Sequence, residues 1–131
     1  MPDKMQFDLV SPERSLVSGL ATAVQIPGAE GDLTAMPGHA PLITTLRPGI
    51  LKVSGDDGPA EFAVTGGFAE INSDATTVLA ERAYPRSAEN RAAIEEHLEE
   101  ARKLATEVPD EHRDAHSKLM DDLAKLLDDM V

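Results

Sequence analysis

The sequence predicts a chain in two parts. Residues 1–84 read as a β-sandwich or flattened barrel, and residues 85–131 as an antiparallel two-helix hairpin. Three observations predict this. All nine glycines lie at or before Gly67. The first part breaks into about nine or ten short β-type runs, with turn signals about every 8–12 positions. After Tyr84-Pro85-Arg86 the composition shifts to Ala, Leu, Glu, Asp and Lys, with apolar residues three and four apart.

The runs follow in order. Met5–Val10 forms a first strand, and Ser11-Pro12-Glu13-Arg14 is a turn signal. Ser15–Ser18 is a short extended piece ending at Gly19. Ala21–Ile26 alternates as a strand, Pro27-Gly28-Ala29-Glu30-Gly31 turns the chain, and Asp32–Ala35 pairs back. Leu42–Leu46 and Ile50–Ser54 are β-type runs on either side of Arg47-Pro48-Gly49. Gly55-Asp56-Asp57-Gly58 is a hairpin signal leading into Ala60–Thr65. Phe68–Ile71, the Asn72-Ser73-Asp74 turn and Ala75–Ala80 close the series. Beyond the joint, Ser87 is placed to cap a helix whose stripe is Ile94, Leu98, Ala101, Ala105 and Val108. Pro109 breaks it, and Ala115, Leu119, Leu123, Leu126 and Met130 make a second stripe. Two such helices with a short break pack as a hairpin.

Composition bounds the chemistry. With 131 residues and 41% hydrophobic, the chain can bury a core, but Phe7, Phe62, Phe68 and Tyr84 are the only aromatics. There is no cysteine, hence no disulfide, thiolate nucleophile or cysteine-based zinc site. The net charge of −12 argues against sequence-independent binding to nucleic acid or anionic lipid, where cations must neutralise phosphates. No run approaches the roughly 18 apolar residues of a membrane span, so direct membrane insertion is not expected. The opening MPDKMQFDLV lacks the basic start and apolar core of a signal peptide, and the expected site is cytoplasmic.

Catalytic motifs are missing. No phosphate-binding loop, nucleophile elbow or HExxH helix occurs, and Gly66-Gly67 has the character of a strand-end kink. His112 and His116 are four apart on the second helix, a metal-ligand spacing, but no third ligand stands at fixed distance. They, and His97 among the glutamates of the first helix, read as surface residues. Glu95-Glu96, Glu99-Glu100, Asp121-Asp122 and Asp128-Asp129 spread around solvated helix faces, which supply no desolvated pocket to split two carboxyl pKa values. No catalytic residue, metal ligand or cofactor is therefore expected. The densest cluster of structure-fixing residues is Glu30–Leu51, with His39 held between Pro37-Gly38 and Ala40-Pro41. His39 is either a hydrogen-bonded turn residue or a contact held out for a partner, since a scaffold positions its binding residues on loops.

Several stretches carry a resemblance: Phe7–Glu13, Ser18-Gly19, Ile26–Leu33, Met36–Leu42, Leu46–Gly49, Gly66–Phe68 and Val78–Ala83. The PGHAPL hexapeptide followed by RPG is the most specific of them. Through these the chain resembles the epsilon subunits of bacterial F-type ATP synthase, counterparts of the mitochondrial delta subunit, along essentially its whole length. The resemblance implies a ten-stranded β-sandwich followed by a helical hairpin. It implies a non-catalytic rotor component of the central stalk, bound to the gamma subunit and seated on the c ring, peripheral to the cytoplasmic face of the inner membrane. By position, Gly28, Glu30, Gly31 and Asp32 would face the basic polar loops of the c ring. Met36, His39, Ala40, Pro41 and Leu42 would face gamma.

Two departures separate this chain from some relatives. An Ile/Leu-Asp-x-x-Arg-Ala motif binds ATP in part of the family. Here Arg91 and Ala92 match it, but Ala88 stands in place of the aspartate, which argues against tight ATP binding at Arg91; the alternative reading is an ATP-sensing regulatory module whose helical hairpin opens and closes, which ATP titration would separate from a rotor subunit. In other relatives a basic hairpin extends to the alpha and beta subunits and inhibits hydrolysis. Residues 85–131 hold 7 Lys and Arg against 13 Asp and Glu, a net −6, and like charge opposes such docking. Weak or absent inhibition is expected.

Overall fold

Met5, Phe7 and Leu9 alternate with Gln6 and Asp8, so the first strand presents one apolar face. That face starts a core which ten strands enclose. A computed structural model describes residues 4–55 and 58–130. Its strands are β1 (Met5–Ser11), β2 (Arg14–Ala21), β3 (Ala23–Gly28), β4 (Gly31–Ala35) and β5 (Leu42–Thr45), then β6 (Gly49–Ser54), β7 (Ala60–Val64), β8 (Gly67–Ile71), β9 (Ala75–Ala80) and β10 (Ala83–Pro85). They form two five-stranded sheets, ordered β2-β1-β9-β8-β5 and β10-β7-β6-β3-β4. The β1–β9 pairing is parallel and the other strand pairings are antiparallel. Between the sheets lie Met5, Phe7, Leu9, Val24, Ile26, Leu51, Val64, Ile71 and Val78, all buried. Burying a side chain of this size stabilises the fold by about 1.5–3 kcal/mol.

The predicted class, sandwich then hairpin, is the observed one, with local differences. The short extended piece expected at Ser15–Ser18 is the eight-residue β2, because β1 offers a partner along its whole length, from Ser11 opposite Arg14 to Met5 opposite Ala21. The strand expected at Ala21–Ile26 is divided: Ala21 ends β2, Thr22 bends the chain, and β3 runs on through Pro27 to Gly28. Pro27 is tolerated there because β6 pairs only with Ala23–Gln25, so a missing N–H costs no ladder bond. The three-residue β10 lies in the stretch read as the joint. It is an edge strand ending in proline, too short to show alternation. The hairpin signal at Gly55–Gly58 includes Asp56 and Asp57, which lie outside the described residues. The flanking strands β6 and β7 pair antiparallel.

Beyond β10 a single 3₁₀ turn, Ala88–Asn90, leads into α1 (Arg91–Leu104). A second, Asp110–His112, leads into α2 (Arg113–Asp129). Ser87 precedes the first turn in an extended conformation, but its hydroxyl caps no backbone N–H. It accepts instead from the Asn90 amide at 3.1 Å. Helix α1 stops at Leu104, short of the Val108 expected from the stripe, since Pro109 bars continuation and disfavours helical backbone just before it. Leu98, Ala101 and Leu123 hold the helices together. Ile94, Leu126 and Met130 pack on Ala63, with Ile50 and Tyr84 beside it. The hairpin thus folds back over the outer face of the second sheet, a position the sequence leaves open.

Candidate functional site

The covering is one-sided. The second sheet has the core on one face and the hairpin on the other, whereas among the described residues no helix packs a hydrophobic cluster on the outer face of the first. That face carries an apolar row set by strand register. Phe68 on β8 stands opposite Leu79 on β9, which stands opposite Val10 on β1. Phe68 and Leu79 are exposed, as are Ile43 on edge strand β5 (69%) and Leu20 on edge strand β2 (60%). Val10, Pro12, Phe68 and Leu79 line a shallow, mainly apolar depression there. Reading residue by residue misses this surface. Its signal is an apolar residue out of phase with its strand: Leu79 between inward Val78 and Ala80, Val10 after inward Leu9.

The loop from Met36 to Pro41 runs into the β5 edge of this same sheet. Met36–His39 is a β-turn with Pro37 and Gly38 at its centre. Gly38 has φ +86°, and the His39 N–H donates to the Met36 carbonyl at 3.1 Å, as a type II turn requires. The Gly38 N–H donates to the Ser73 carbonyl at 2.9 Å, anchoring the loop to the β8–β9 turn. His39 Nδ1 lies 2.6 Å from the Ala40 carbonyl oxygen, so Nδ1 carries the proton and donates to it. His39 shares no hydrogen bond with Glu30 or Asp32. Met36 (54% exposed), Ala40, Pro41 and Leu42 are all exposed. Leu42 stands opposite the inward residue Ile71, and lies open because β5 is an edge.

Gly28, Glu30, Gly31 and Asp32 form the end of the β3–β4 hairpin, whose two-residue tip is Ala29-Glu30. Gly28 is buried opposite Gly31, and a Cβ on it would lie 2.6 Å from the Gly31 carbonyl oxygen. Gly31 has φ +140°. Both positions demand glycine, and together they hold Glu30 out at the tip. The two acids differ. Glu30 has no hydrogen-bond or ion-pair partner among the described residues. Asp32 is paired with Arg47, whose Nε also donates to the Gly28 carbonyl at 3.1 Å. The Arg47 N–H in turn donates to the Pro27 carbonyl at 3.0 Å. Arg47 is thus the internal brace of the hairpin.

Arg91 lies elsewhere, at the start of α1. Its guanidinium donates to the carbonyls of Leu127 at 2.6 Å and Met130 at 3.4 Å, satisfying acceptors at the end of α2. Nearby, Arg86 donates to the Asp129 carbonyl at 2.7 Å and pairs with Glu61 on β7. Two histidines are less exposed than expected. His116 Nε2 hydrogen-bonds the Ala101 carbonyl at 2.7 Å across the hairpin. His97 is half-buried with Nδ1 unpartnered. Burial first, then the Arg82 cation, hold its pKa below the usual histidine value, against Glu100 and Glu81. No three His, Cys, Asp or Glu side chains among the described residues converge as a metal site.

The described residues therefore bring together an apolar face, a rigid proline-glycine loop and an acidic hairpin tip. Residues 4–86 match the family model for the β-sandwich domain of the ATP synthase delta/epsilon chain. The ATP synthase epsilon chain of Ruegeria sp. (strain TM1040) is 59% identical over 133 residues, covering 99% of this chain and 93% of its own. That of Rhodobacter capsulatus is 55% identical, with the same coverage of 99% and 93%. Among solved structures, a chain of the Euglena gracilis mitochondrial ATP synthase, in an assembly of OSCP, F1 and c-ring, superposes with a TM-score of 0.71 at 23% identity. It covers 97% of this chain and 83% of that one. A chain of the Tetrahymena thermophila mitochondrial ATP synthase central stalk and c-ring gives 0.54 at 19% identity, over 63% of this chain and 67% of that one. With the sandwich matched by the family model and the whole chain shared with relatives more than half identical to it, this chain belongs to the ATP synthase delta/epsilon chain family.

Proposed function

We propose that the chain is a non-catalytic rotor subunit of a proton-translocating F-type ATP synthase, joining gamma to the c ring at the cytoplasmic face of the inner membrane. The observation that carries this is the one-sided covering of the sandwich: the hairpin occupies the second sheet, and the first sheet leaves an apolar face beside a braced loop. Gamma docks on that face and on Met36, His39, Ala40, Pro41 and Leu42. The c ring meets the hairpin tip at Gly28, Glu30 and Gly31, with unpaired Glu30 as the acidic contact and Asp32 held back on Arg47. The Euglena and Tetrahymena chains of the same fold come from assemblies that include a c-ring, which supports this placement. The folded hairpin, held by Arg86 and Arg91 and carrying net −6 over residues 85–131, inhibits hydrolysis weakly. No cofactor is required.

The test is reconstitution of the complex in membrane vesicles. Phe68→Asp leaves the fold intact and lowers co-purification with gamma. Glu30→Lys leaves gamma binding intact and lowers ATP synthesis driven by a proton gradient. Wild-type gamma recovery with Phe68→Asp would remove the proposed gamma face. Wild-type coupling with Glu30→Lys would remove the c-ring contact.

A further inference from the structure

His97 sits where α1 lies against the sandwich. Ile94 and Ala101, on the same face of the helix, are both buried. Ile94 packs on Ala63 of the second sheet, and Ala101 belongs with Leu123 of α2 to the cluster that joins the helices. The imidazole thus shares the buried side of α1, although Glu95, Glu96, Glu99 and Glu100 surround it in the chain. Its Nδ1 is enclosed and has no hydrogen-bond partner. In the neutral ring, with the proton on Nε2, Nδ1 is an acceptor left without a donor. The charged ring must carry an N–H there, so a cation and an unsatisfied donor are buried together.

The charges around the ring are held in place. The turn between β9 and β10 supplies Glu81 and Arg82, and α1 itself supplies Glu100; among the described residues α2 adds no charge to these three. The Glu81 N–H donates to the Gly66 carbonyl and the Thr65 N–H to the Arg82 carbonyl, each at 3.1 Å, so this turn is tied to the β7–β8 connection. Arg82 pairs with Glu100 at 3.3 Å across the seam between sandwich and hairpin. One of the two carboxylates that would favour a proton on the ring is therefore already matched by a cation. Burial first, and then Arg82, prevail over Glu100 and Glu81.

We infer that His97 is a proton-operated latch: the neutral ring keeps the hairpin docked, and proton uptake at Nδ1 releases α1 from the sandwich. Release carries the ring into water, where the new N–H finds an acceptor and the charge is solvated. The proton therefore binds the released form better and shifts the equilibrium toward it. The sandwich need not open, because its own core contains no hairpin residue.

The test is native-state hydrogen exchange of the full chain at pH 7.5 and pH 5.5, expressed as protection factors so that the intrinsic pH dependence of exchange is removed. Protection in α1 and α2 should fall about threefold to tenfold between them, the upper figure being the ceiling for one imidazole whose free pKa is near 6.5. At both pH values the hairpin amides should stay less protected than those of β1 and β9, which marks release short of unfolding. His97→Gln keeps a neutral polar side chain and should abolish the fall. His112→Gln removes an exposed imidazole from the same hairpin and should keep it. An NMR titration of the His97 ring in the wild-type chain, which needs no variant, should give a midpoint below 6.5. The inference is overturned by hairpin protection that does not change with pH, or by an equal fall in His97→Gln. It is equally overturned by equal protection of hairpin and β1 or β9 amides, or by a ring midpoint at or above 6.5.

Discussion

Arg91 offers the sharpest quantitative prediction, because its position in the chain and its position in space suggest different roles. In sequence it matches the arginine of an ATP-binding motif. In space its guanidinium closes the end of α2 on the carbonyls of Leu127 and Met130. The Leu127 carbonyl also accepts the Met130 N–H at 3.2 Å, and the Arg91 cation adds a second donor there and complements the helix dipole. The 2.6 Å bond to Leu127 is charge-assisted, worth about 1.5–3 kcal/mol in a protected setting. Arg91 is exposed, so solvent screening brings this toward about 1.4 kcal/mol, and the 3.4 Å contact to Met130 adds little. Removing it by Arg91→Ala therefore shifts the local opening equilibrium of the hairpin about tenfold. Native-state amide hydrogen exchange reads this directly. Amides of α1 and α2 should exchange about tenfold faster, while those of β1 and β9, in the core of the other sheet, keep their rates. Arg91→Lys should recover part of the protection, because a single ammonium reaches one carbonyl. Unchanged α2 rates in Arg91→Ala would refute the capping role. Uniform acceleration along the whole chain would show that hairpin and sandwich open as one unit.

Two further perturbations test other parts. His97 is held neutral by burial and Arg82, so its folded pKa lies below the unfolded value near 6.5. As pH falls below that value the unfolded chain binds the proton more readily, and stability declines until the folded pKa is passed. Urea melts between pH 7.5 and 5.5 should show this slope in the wild type and a smaller one in His97→Gln; equal slopes would remove His97 as the source. Gly67→Ala places a Cβ 1.9 Å from the Leu79 carbonyl oxygen at φ +104°, so backbone must move. A loss of about 3 kcal/mol or more in chemical denaturation is expected, and a loss below 1 kcal/mol would show that β8 and β9 separate easily there.

The sequence by itself determined the two-part architecture. Glycine and proline punctuation set the turns, the two-residue period of Met5, Phe7 and Leu9 set an inward face, and the three-and-four spacing of Ile94, Leu98 and Ala101 set a helix. The glycines at 28, 31 and 38 were legible as fixed turns because their conformations are local properties of the chain. What the tertiary structure alone decided is which surfaces remain open. Whether Leu79 and Phe68 are covered depends on where the hairpin lies, and that depends on Leu126 and Met130 meeting Ala63 across more than sixty residues of chain. The different standing of Glu30 and Asp32, both acids in one hairpin, depends on Arg47 reaching back to one of them. The tenth strand, Ala83–Pro85, has no period of its own and exists because β7 offers an edge. Local backbone preference is written into adjacent residues; exposure and ion pairing arise between residues distant in the chain, so they are fixed only when the sheets and helices close on one another.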